Sequence, residues 1–139
     1  MRELLGKPVA DSIVESLAPE VEAMKEKGVV PTLAVIRVGA REDDLAYERG
    51  LTKRFEGANC AVRKIELPED VTQEELDAAV ASADADPAVD GILMFRPLPK
   101  TLTDKNVLNT ISALKDVDGM GKANMADIFS GAGEGHAPC

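Results

Sequence analysis

The sequence predicts an α/β domain in which a parallel sheet carries flanking helices, a three-layer arrangement. Three short runs rich in apolar residues, bounded mostly by glycine, proline or aspartate, are typical of strands. Segments with apolar residues at helical spacing lie between these runs, and this alternation implies parallel strands joined by right-handed crossovers. At 139 residues the chain is long enough for one such domain with a single core.

The first helical segment has apolar residues at helical spacing, at Val9, Ile13, Leu17, Val21 and Met24. We expect this helix to end at Gly28, because glycine readily adopts the left-handed conformation that follows many helices. Pro19 lies within the segment and is predicted to kink the helix, since a proline removes one backbone hydrogen bond.

The three predicted strands differ in how their apolar residues are arranged. Thr32–Val38 and Gly91–Phe95 are almost continuously apolar, which is typical of strands buried on both faces. Ala61–Leu67 alternates apolar and polar residues, which favours a position near an edge of the sheet.

Three further helices are expected. The second is predicted from about residue 42 to 56, and a short fourth from Asp104 to Ile111. The third begins with a capping box, in which Thr72 and Glu75 each bond the backbone N–H of the other. The last ten residues, Ser130–Cys139, are rich in glycine and lack an apolar pattern, so we expect a loop or linker there.

Composition and charge exclude several classes of function. The net charge of −9 repels phosphate backbones and anionic lipid, so neither nucleic acid nor a membrane is an expected partner. No apolar run approaches the ~20 residues that span a bilayer, and the first residues lack a signal-peptide pattern, so we expect a cytoplasmic protein. One histidine with Cys60 and Cys139 cannot form a zinc site of a common type, so no metal is expected.

Open parallel sheets bind their ligands at the carboxyl ends of their strands, and three unusual segments are expected near that rim. Tyr47 lies early on the second helix, "RPLP" (Arg96–Pro99) follows the third strand, and "DVDG" (Asp116–Gly119) follows the fourth helix. Each also has an ordinary structural interpretation: a buried tyrosine, a rigid proline loop, and a turn held by aspartate side chains. Their common position at one rim favours a shared pocket.

The order of these motifs resembles that of the N-terminal catalytic domain of the methylenetetrahydrofolate dehydrogenase/cyclohydrolase family. The resemblance covers nearly all of the 139 residues. It is carried by Tyr47 and by the segments "PTLAVIRVG", "IELPEDVTQEEL", "DADPAVDGILMFRPLPK", "KDVDG" and "APC". The middle segments are long, which makes the resemblance specific.

The resemblance implies two reactions on one folate and a second domain. In the family, an NAD- or NADP-dependent hydride transfer converts 5,10-methylene- to 5,10-methenyltetrahydrofolate, and hydrolysis then gives 10-formyltetrahydrofolate. A Rossmann-type domain binds the cofactor, and this sequence has no G-x-G-x-x-G after a strand. We therefore expect the N-terminal domain of a two-domain homodimer, with residues 1–130 binding a tetrahydrofolate derivative and residues 131–139 leading to the missing domain.

The substrate-binding residues that the resemblance implies are Tyr47, Leu51, Phe95, Arg96, Pro97, Leu98, Pro99 and Asp118. Tyr47 is expected to stack on the folate rings, and Asp118 to hydrogen-bond the pterin. The catalytic lysine of the family, four residues after the tyrosine, is replaced by Leu51, and the glutamine that supports it is replaced by Phe95. No catalytic residue is therefore assigned.

Three charged residues near these positions carry separate expectations. Lys53 lies ~240° round the helix from Tyr47 and should point away from the pocket. Asp44 stands where the family commonly has serine. Arg96 replaces a family leucine and either binds substrate or packs on the surface, and strand alternation would put it opposite Phe95 if the strand persists that far.

The predicted function is the folate-binding domain of a methylenetetrahydrofolate dehydrogenase, with the cyclohydrolase step in question and the 139-residue fragment inactive alone. Losing the lysine should harm hydrolysis more than hydride transfer, because hydrolysis needs proton movement whereas hydride transfer depends mainly on positioning. Two alternatives stay open: a noncatalytic paralogue that binds folate or a partner enzyme, and a relative acting on another one-carbon substrate.

Overall fold

The computed structural model describes residues 5–131, which form three strands and five helices. The strands are β1 (Thr32–Val38), β2 (Ala61–Leu67) and β3 (Gly91–Met94). The helices are α1 (Gly6–Glu26), α2 (Glu42–Gly57), α3 (Gln73–Ala85), α4 (Val107–Thr110) and α5 (Lys122–Ser130).

The three strands are parallel and lie in the order β2–β1–β3. Ile36 of the central strand pairs with Ile65 on one side and with Met94 on the other. This order confirms the predicted α/β fold with a parallel sheet, and it confirms that the alternating segment forms an edge strand. β1 is buried almost throughout because it lies in the centre of the sheet and apolar residues pack on both of its faces.

Alternate residues of β1 contribute to two apolar clusters, one on each face of the sheet. The cluster on one face joins β1 to α3 and α4, and its buried members include Ile36, Leu76, Val80 and Val107. The α2-side cluster, on the other face, consists of Leu33, Val35 and Phe95 with the half-buried Leu51, Phe55, Val62 and Leu93. Helices on both faces of the sheet give the three layers that the sequence predicts.

The apolar stripe predicted for the first helix is present on α1, but Val21 is its only buried member. The other members are exposed: Val9, Ile13, Leu17 and Met24. The helix continues without a break through Pro19. Gly28 has a φ of 75° and follows the end of the helix, as predicted.

Local signals mark the start of α3 correctly but overstate the length of α4. The Thr72 hydroxyl accepts a hydrogen bond from the Glu75 N–H at 3.3 Å, and the Glu75 carboxylate accepts one from the Thr72 N–H at 2.9 Å. The predicted capping box is therefore confirmed. The fourth helix is a single turn, Val107–Thr110, rather than the expected Asp104–Ile111.

Helix α5 was not predicted from the sequence. Its apolar residues Met125, Ile128 and Phe129 are exposed, so no buried stripe marks the segment as helical. Gly131, with a φ of 65°, ends it. Residues 132–139 of the predicted linker lie outside the described residues. Within residues 5–131, no helix combines the length and the apolar character that crossing a bilayer requires.

A buried guanidinium joins β1, α2 and β2. Arg37, which is 5% exposed, donates from Nε to Glu48 of α2 at 3.0 Å and from Nη2 to Glu66 of β2 at 2.7 Å. Its Nη1 donates to the Gly39 carbonyl. Lys64 lies 2.9 Å from the second carboxylate oxygen of Glu48. Because Glu48 is the buried residue of α2, these contacts fix the helix against the sheet.

The ionisation of Glu48 is coupled to folding. Burial opposes the charged form, but the hydrogen bonds from Lys64 and Arg37 outweigh it and lower the pKa of this carboxyl below its usual value of 4.5. A carboxyl whose pKa is lower in the folded chain stabilises the fold above the pKa of the unfolded chain. That contribution is lost as the pH falls through the folded-state pKa.

We expect Glu48→Gln to lower the free energy of unfolding by about 3 kcal/mol near neutral pH, because Arg37 and Lys64 lose their charged partner. The difference in the free energy of unfolding between wild type and variant should become smaller below about pH 4.5, because the wild-type carboxylate itself takes up a proton. Urea unfolding across this pH range measures both effects. Glu56→Gln, exposed on the same helix, is the matched control. A difference in unfolding free energy that stays constant as the pH falls below 4.5 would contradict the role given to Glu48.

Candidate functional site

A cavity of about 360 Å³, called here the Tyr47 cavity, lies at the carboxyl end of β3 beside the start of α2. This is the rim at which parallel sheets bind ligands. Its lining residues are Asp43, Asp44, Tyr47, Leu93, Met94, Phe95, Arg96 and Asp118. Residues predicted from three separate segments, Tyr47, Phe95, Arg96 and Asp118, are thus brought together.

Tyr47 projects from the first half of α2 and is 61% exposed. Its ring meets the Phe95 ring edge to face, with the centroids 5.4 Å apart and the planes at 63°. Such an arrangement is favourable for an aromatic pair. The interpretation of Tyr47 as a buried core residue is therefore wrong, and its ring is accessible to a ligand.

Leu51 and Phe95, at the positions where the family resemblance implies lysine and glutamine, meet in the α2-side cluster. Phe95 is 8% exposed, and its backbone N–H donates to the Ile36 carbonyl at 2.9 Å. Leu51 packs against this cluster and does not itself line the Tyr47 cavity. Apolar packing therefore stands where the resemblance implies a polar pair, and of the two residues only Phe95 lines the cavity.

Arg96 faces the same cavity as Phe95. Strand alternation would have separated the two side chains, but β3 ends at Met94 and the alternation ends with it. Arg96 Nη2 donates to Asp118 Oδ2 at 3.0 Å, while Nη1 lies 3.9 Å from Asp104 Oδ2. The guanidinium is thus held beside the carboxylate that the resemblance assigns to the pterin.

The three residues after Arg96 face a neighbouring depression instead. Pro97, Leu98 and Pro99 line it together with the β1–α2 turn and with Glu69. The Arg96–Pro97 peptide bond is cis. The structure does not bring these three predicted residues to the Tyr47 cavity.

Buried hydrogen bonds hold the turn that carries Asp118. Asp116 is 2% exposed, and its Oδ2 accepts hydrogen bonds from the Gly121 N–H at 2.7 Å and from Asn124 Nδ2 at 3.0 Å. Its other oxygen accepts one from the Met120 N–H at 3.3 Å. The interpretation of "DVDG" as a turn held by an aspartate is therefore correct for Asp116, whereas Asp118 faces the cavity.

The same turn is fastened to the sheet. The Lys115 carbonyl accepts a hydrogen bond from the Ile92 N–H at 2.7 Å, and Lys115 Nζ donates to two carbonyls at the end of α3. Gly91 permits a close approach, because a Cβ at this position would lie 2.6 Å from Val117 Cγ1. Sequence reasoning did not identify these supports, since each joins residues far apart in the chain.

Two carboxylates on α2, Asp43 and Asp44, complete the cavity wall. Arg41 Nε donates to Asp43 Oδ1 at 3.2 Å and lies 3.8 Å from Asp44 Oδ2. The side-chain hydrogen bond from Arg41 lowers the pKa of Asp43. The signal that could have placed Asp44 in the site is its spacing, because a residue three positions before Tyr47 shares its helix face.

None of the lysines within residues 5–131 lines the Tyr47 cavity. Lys53 instead lines a groove between α1 and α2, together with Lys7 and Arg54, as its angular position predicts. Arg96 supplies a cation to the cavity, but a guanidinium donates hydrogen bonds without giving up its proton. The cavity is therefore equipped to bind and orient a planar polar ligand, and residues 5–131 bring to it no amine that exchanges protons.

Comparison with known proteins agrees with this arrangement. Residues 4–118 match the family model described as tetrahydrofolate dehydrogenase/cyclohydrolase, catalytic domain. The bifunctional protein FolD of Alkaliphilus oremlandii is 47% identical over 136 residues, covering 98% of this chain and 48% of that protein.

Solved structures of similar proteins have the same fold. The bifunctional FolD of Campylobacter jejuni superposes with a TM-score of 0.91 at 33% identity, covering 96% of this chain and 48% of that one. The Trypanosoma brucei enzyme, described as complexed with NADP cofactor and inhibitor, gives 0.83 at 30% identity, covering 92% and 45%. The chain spans about half the length of the curated relatives it matches.

We expect Asp116→Ala to lower the free energy of unfolding by about 2 kcal/mol, because it leaves buried donors on Gly121 and Asn124 without this acceptor. Urea unfolding of the variant measures the loss. Asp70→Ala, at an exposed aspartate in the turn after β2, is the control and should change stability by less than about 0.5 kcal/mol. Equal unfolding midpoints for the two variants would show that Asp116 does not hold the turn.

Proposed function

The chain belongs to the tetrahydrofolate dehydrogenase/cyclohydrolase family, and we propose that it is the folate-binding part of an NAD(P)-dependent 5,10-methylenetetrahydrofolate dehydrogenase with a weak cyclohydrolase step. The observation that carries this proposal is the apolar contact of Leu51 with the cluster of Phe95 behind the Tyr47 cavity. It stands where the family resemblance implies a lysine and its supporting glutamine.

Hydride transfer depends mainly on holding the folate at the correct distance and angle from the nicotinamide. Three features of the cavity support this task. Tyr47 offers an accessible ring for stacking, and Asp118 offers carboxylate oxygens to the N–H groups of the pterin. Phe95 closes the back of the cavity with apolar surface, which excludes water from the bound ring system.

The start of α2, beside the Tyr47 cavity, does not fit the pyrophosphate of a dinucleotide. A pyrophosphate binds where a glycine-rich turn leads into a helix N-terminus. Here the first turn of α2 carries Glu42, Asp43 and Asp44, whose charges repel phosphate. We therefore assign NAD or NADP, the hydride acceptor of the reaction, to a part of the full-length protein outside this chain. The greater length of the relatives supports this assignment, as does the NADP described in the Trypanosoma brucei enzyme.

Hydrolysis of the methenyl product requires an activated water and a group that accepts its proton. A positioned acid or base typically contributes ~10²–10⁴-fold to such a step. Leu51 cannot exchange protons, and its contact with the cluster of Phe95 replaces the polar support of the family site. The proposed enzyme therefore releases mainly the methenyl form of the folate.

The proposal extends to the domain organisation, oligomeric state and location of the protein. We place folate binding in residues 1–130 and treat residues 131–139 as the start of a linker to a dinucleotide-binding domain, which the greater length of the relatives supports. We propose a cytoplasmic homodimer without nucleic acid or membrane partners. The net charge of −9 supports the absence of those two partners.

Assay of the full-length protein with both folates tests the proposal. We expect oxidation of methylenetetrahydrofolate with NADP or NAD, and methenyl hydrolysis at least about 100-fold slower than a lysine-containing relative achieves. Tyr47→Ala should weaken folate binding in both assays. If hydrolysis is as fast as in that relative, the proposal that the cyclohydrolase step is weak is wrong. Folate binding without dehydrogenase activity would favour the noncatalytic paralogue.

We expect Leu51→Lys alone to raise methenyl hydrolysis by less than about tenfold, because the apolar α2-side cluster leaves the new ammonium without a polar partner. Leu51→Lys combined with Phe95→Gln should raise it further. Initial rates of methenyl hydrolysis by the full-length variants measure both effects, and Phe95→Gln alone is the control. A large gain from the single lysine would show that the apolar wall is not what limits the reaction.

A further inference from the structure

Arg96 and Asp118 form a polar edge of the Tyr47 cavity. Their hydrogen bond, from Nη2 to Oδ2, measures 3.0 Å, and the side chains are 30% and 25% exposed. Both residues line the cavity together with the rings of Tyr47 and Phe95. A planar ligand stacked on Tyr47 would therefore meet the ion pair at its rim.

The ion pair presents its hydrogen-bonding groups in a fixed order. A carboxylate only accepts hydrogen bonds and has about four acceptor sites, whereas a guanidinium only donates and has five N–H groups. The bond from Arg96 therefore leaves free acceptor capacity on both oxygens of Asp118 and free donors on Arg96. Nη1 of Arg96 is 3.9 Å from Asp104, which is too long for a hydrogen bond. A ligand at this edge would therefore meet two acceptors, the carboxylate oxygens of Asp118, followed by a donor, the guanidinium of Arg96.

The pyrimidine edge of a pterin has the complementary order. Its 2-amino group and ring N–H are donors, and its 4-oxo group is an acceptor. We propose that Arg96 donates a hydrogen bond to the 4-oxo group while Asp118 accepts from the two neighbouring donors, which makes Arg96 a specificity-determining residue. This rests on the proposed folate-binding function. It adds to the family resemblance, which implies a role for Asp118 but a leucine at position 96.

An ion pair that served only the surface would not distinguish ligands. Ion pairs that are partly exposed contribute little to stability. The proposed role of the pair between Arg96 and Asp118 is to orient a bound ligand. A site built around hydrogen-bond partners rejects a ligand whose groups have the opposite polarity, because the groups that the bound ligand covers are then left unpaired. A 4-amino pteridine presents such a reversal at two places: its amino donor would face the donor of Arg96, and its unprotonated ring nitrogen would face an acceptor of Asp118. Only the first of these depends on Arg96.

The test compares two ligands on the full-length protein by titration calorimetry: tetrahydrofolate and its 4-amino analogue. We expect the wild type to bind the 4-oxo ligand more tightly. In Arg96→Leu, the ratio of the two dissociation constants should fall at least tenfold, because the donor that distinguishes oxygen from amine is gone. Arg96→Met, which keeps an unbranched side chain, should give the same result and serves if the leucine variant does not fold.

Arg63→Leu is the matched control. Arg63 also pairs with an aspartate, Asp86, but it lies on β2 and does not line the cavity. Its removal should leave the ratio of dissociation constants unchanged.

The possible outcomes separate the two proposals. If the wild type binds tetrahydrofolate and the ratio stays unchanged in Arg96→Leu or Arg96→Met, the role of Arg96 is overturned while the proposed function stands. If the wild type binds neither ligand, the proposed function fails and this inference fails with it. A fall in the ratio confined to the two Arg96 variants supports the assignment.

Discussion

The buried guanidinium of Arg37 is the contact on which the placement of the site depends. A charge inside a parallel sheet is costly unless carboxylates and backbone groups satisfy it, and here Glu48, Glu66 and the Gly39 carbonyl do so. Since Glu48 belongs to α2, the helix cannot slide along the sheet without separating opposite charges in the interior. Tyr47 precedes Glu48 directly and projects ~100° away from it round the helix. The contact between Glu48 and Arg37 therefore also determines the direction in which Tyr47 projects.

The Tyr47 cavity combines an apolar back with a charged rim. Leu51 and Phe95 belong to the sheet side, where side chains pack at the density of a core. Asp118 and Arg96 lie on loops outside the sheet, where charged groups stay partly hydrated. This division suits a reaction that needs a flat ligand held still and shielded from water. It suits poorly a reaction in which water must enter, lose a proton and attack.

Elements whose signals are local could be predicted from the sequence. β1 and β2 agree residue for residue with the predicted strands, and the Thr72–Glu75 capping box is present because its two partners lie within one turn. Features that depend on distant contacts could not be predicted. Helix α5 buries no apolar stripe, and the direction of Pro97–Pro99 depends on how the chain leaves β3. Tyr47 and the segments that contain Arg96 and Asp118 could be singled out from their position at the rim of the sheet, and the family resemblance added Phe95 and the expected roles. The ion pair between Arg96 and Asp118 required coordinates.

Gly91 shows how far from a ligand the shape of a binding site can be determined. It lies in β3 against Val117, the residue between the buried Asp116 and the cavity-facing Asp118. The space there admits a hydrogen atom and not a methyl group. Any side chain at this strand position would press on the turn from behind and widen the gap between its carboxylate and the aromatic rings. The shape of the Tyr47 cavity therefore depends on a residue that does not line it.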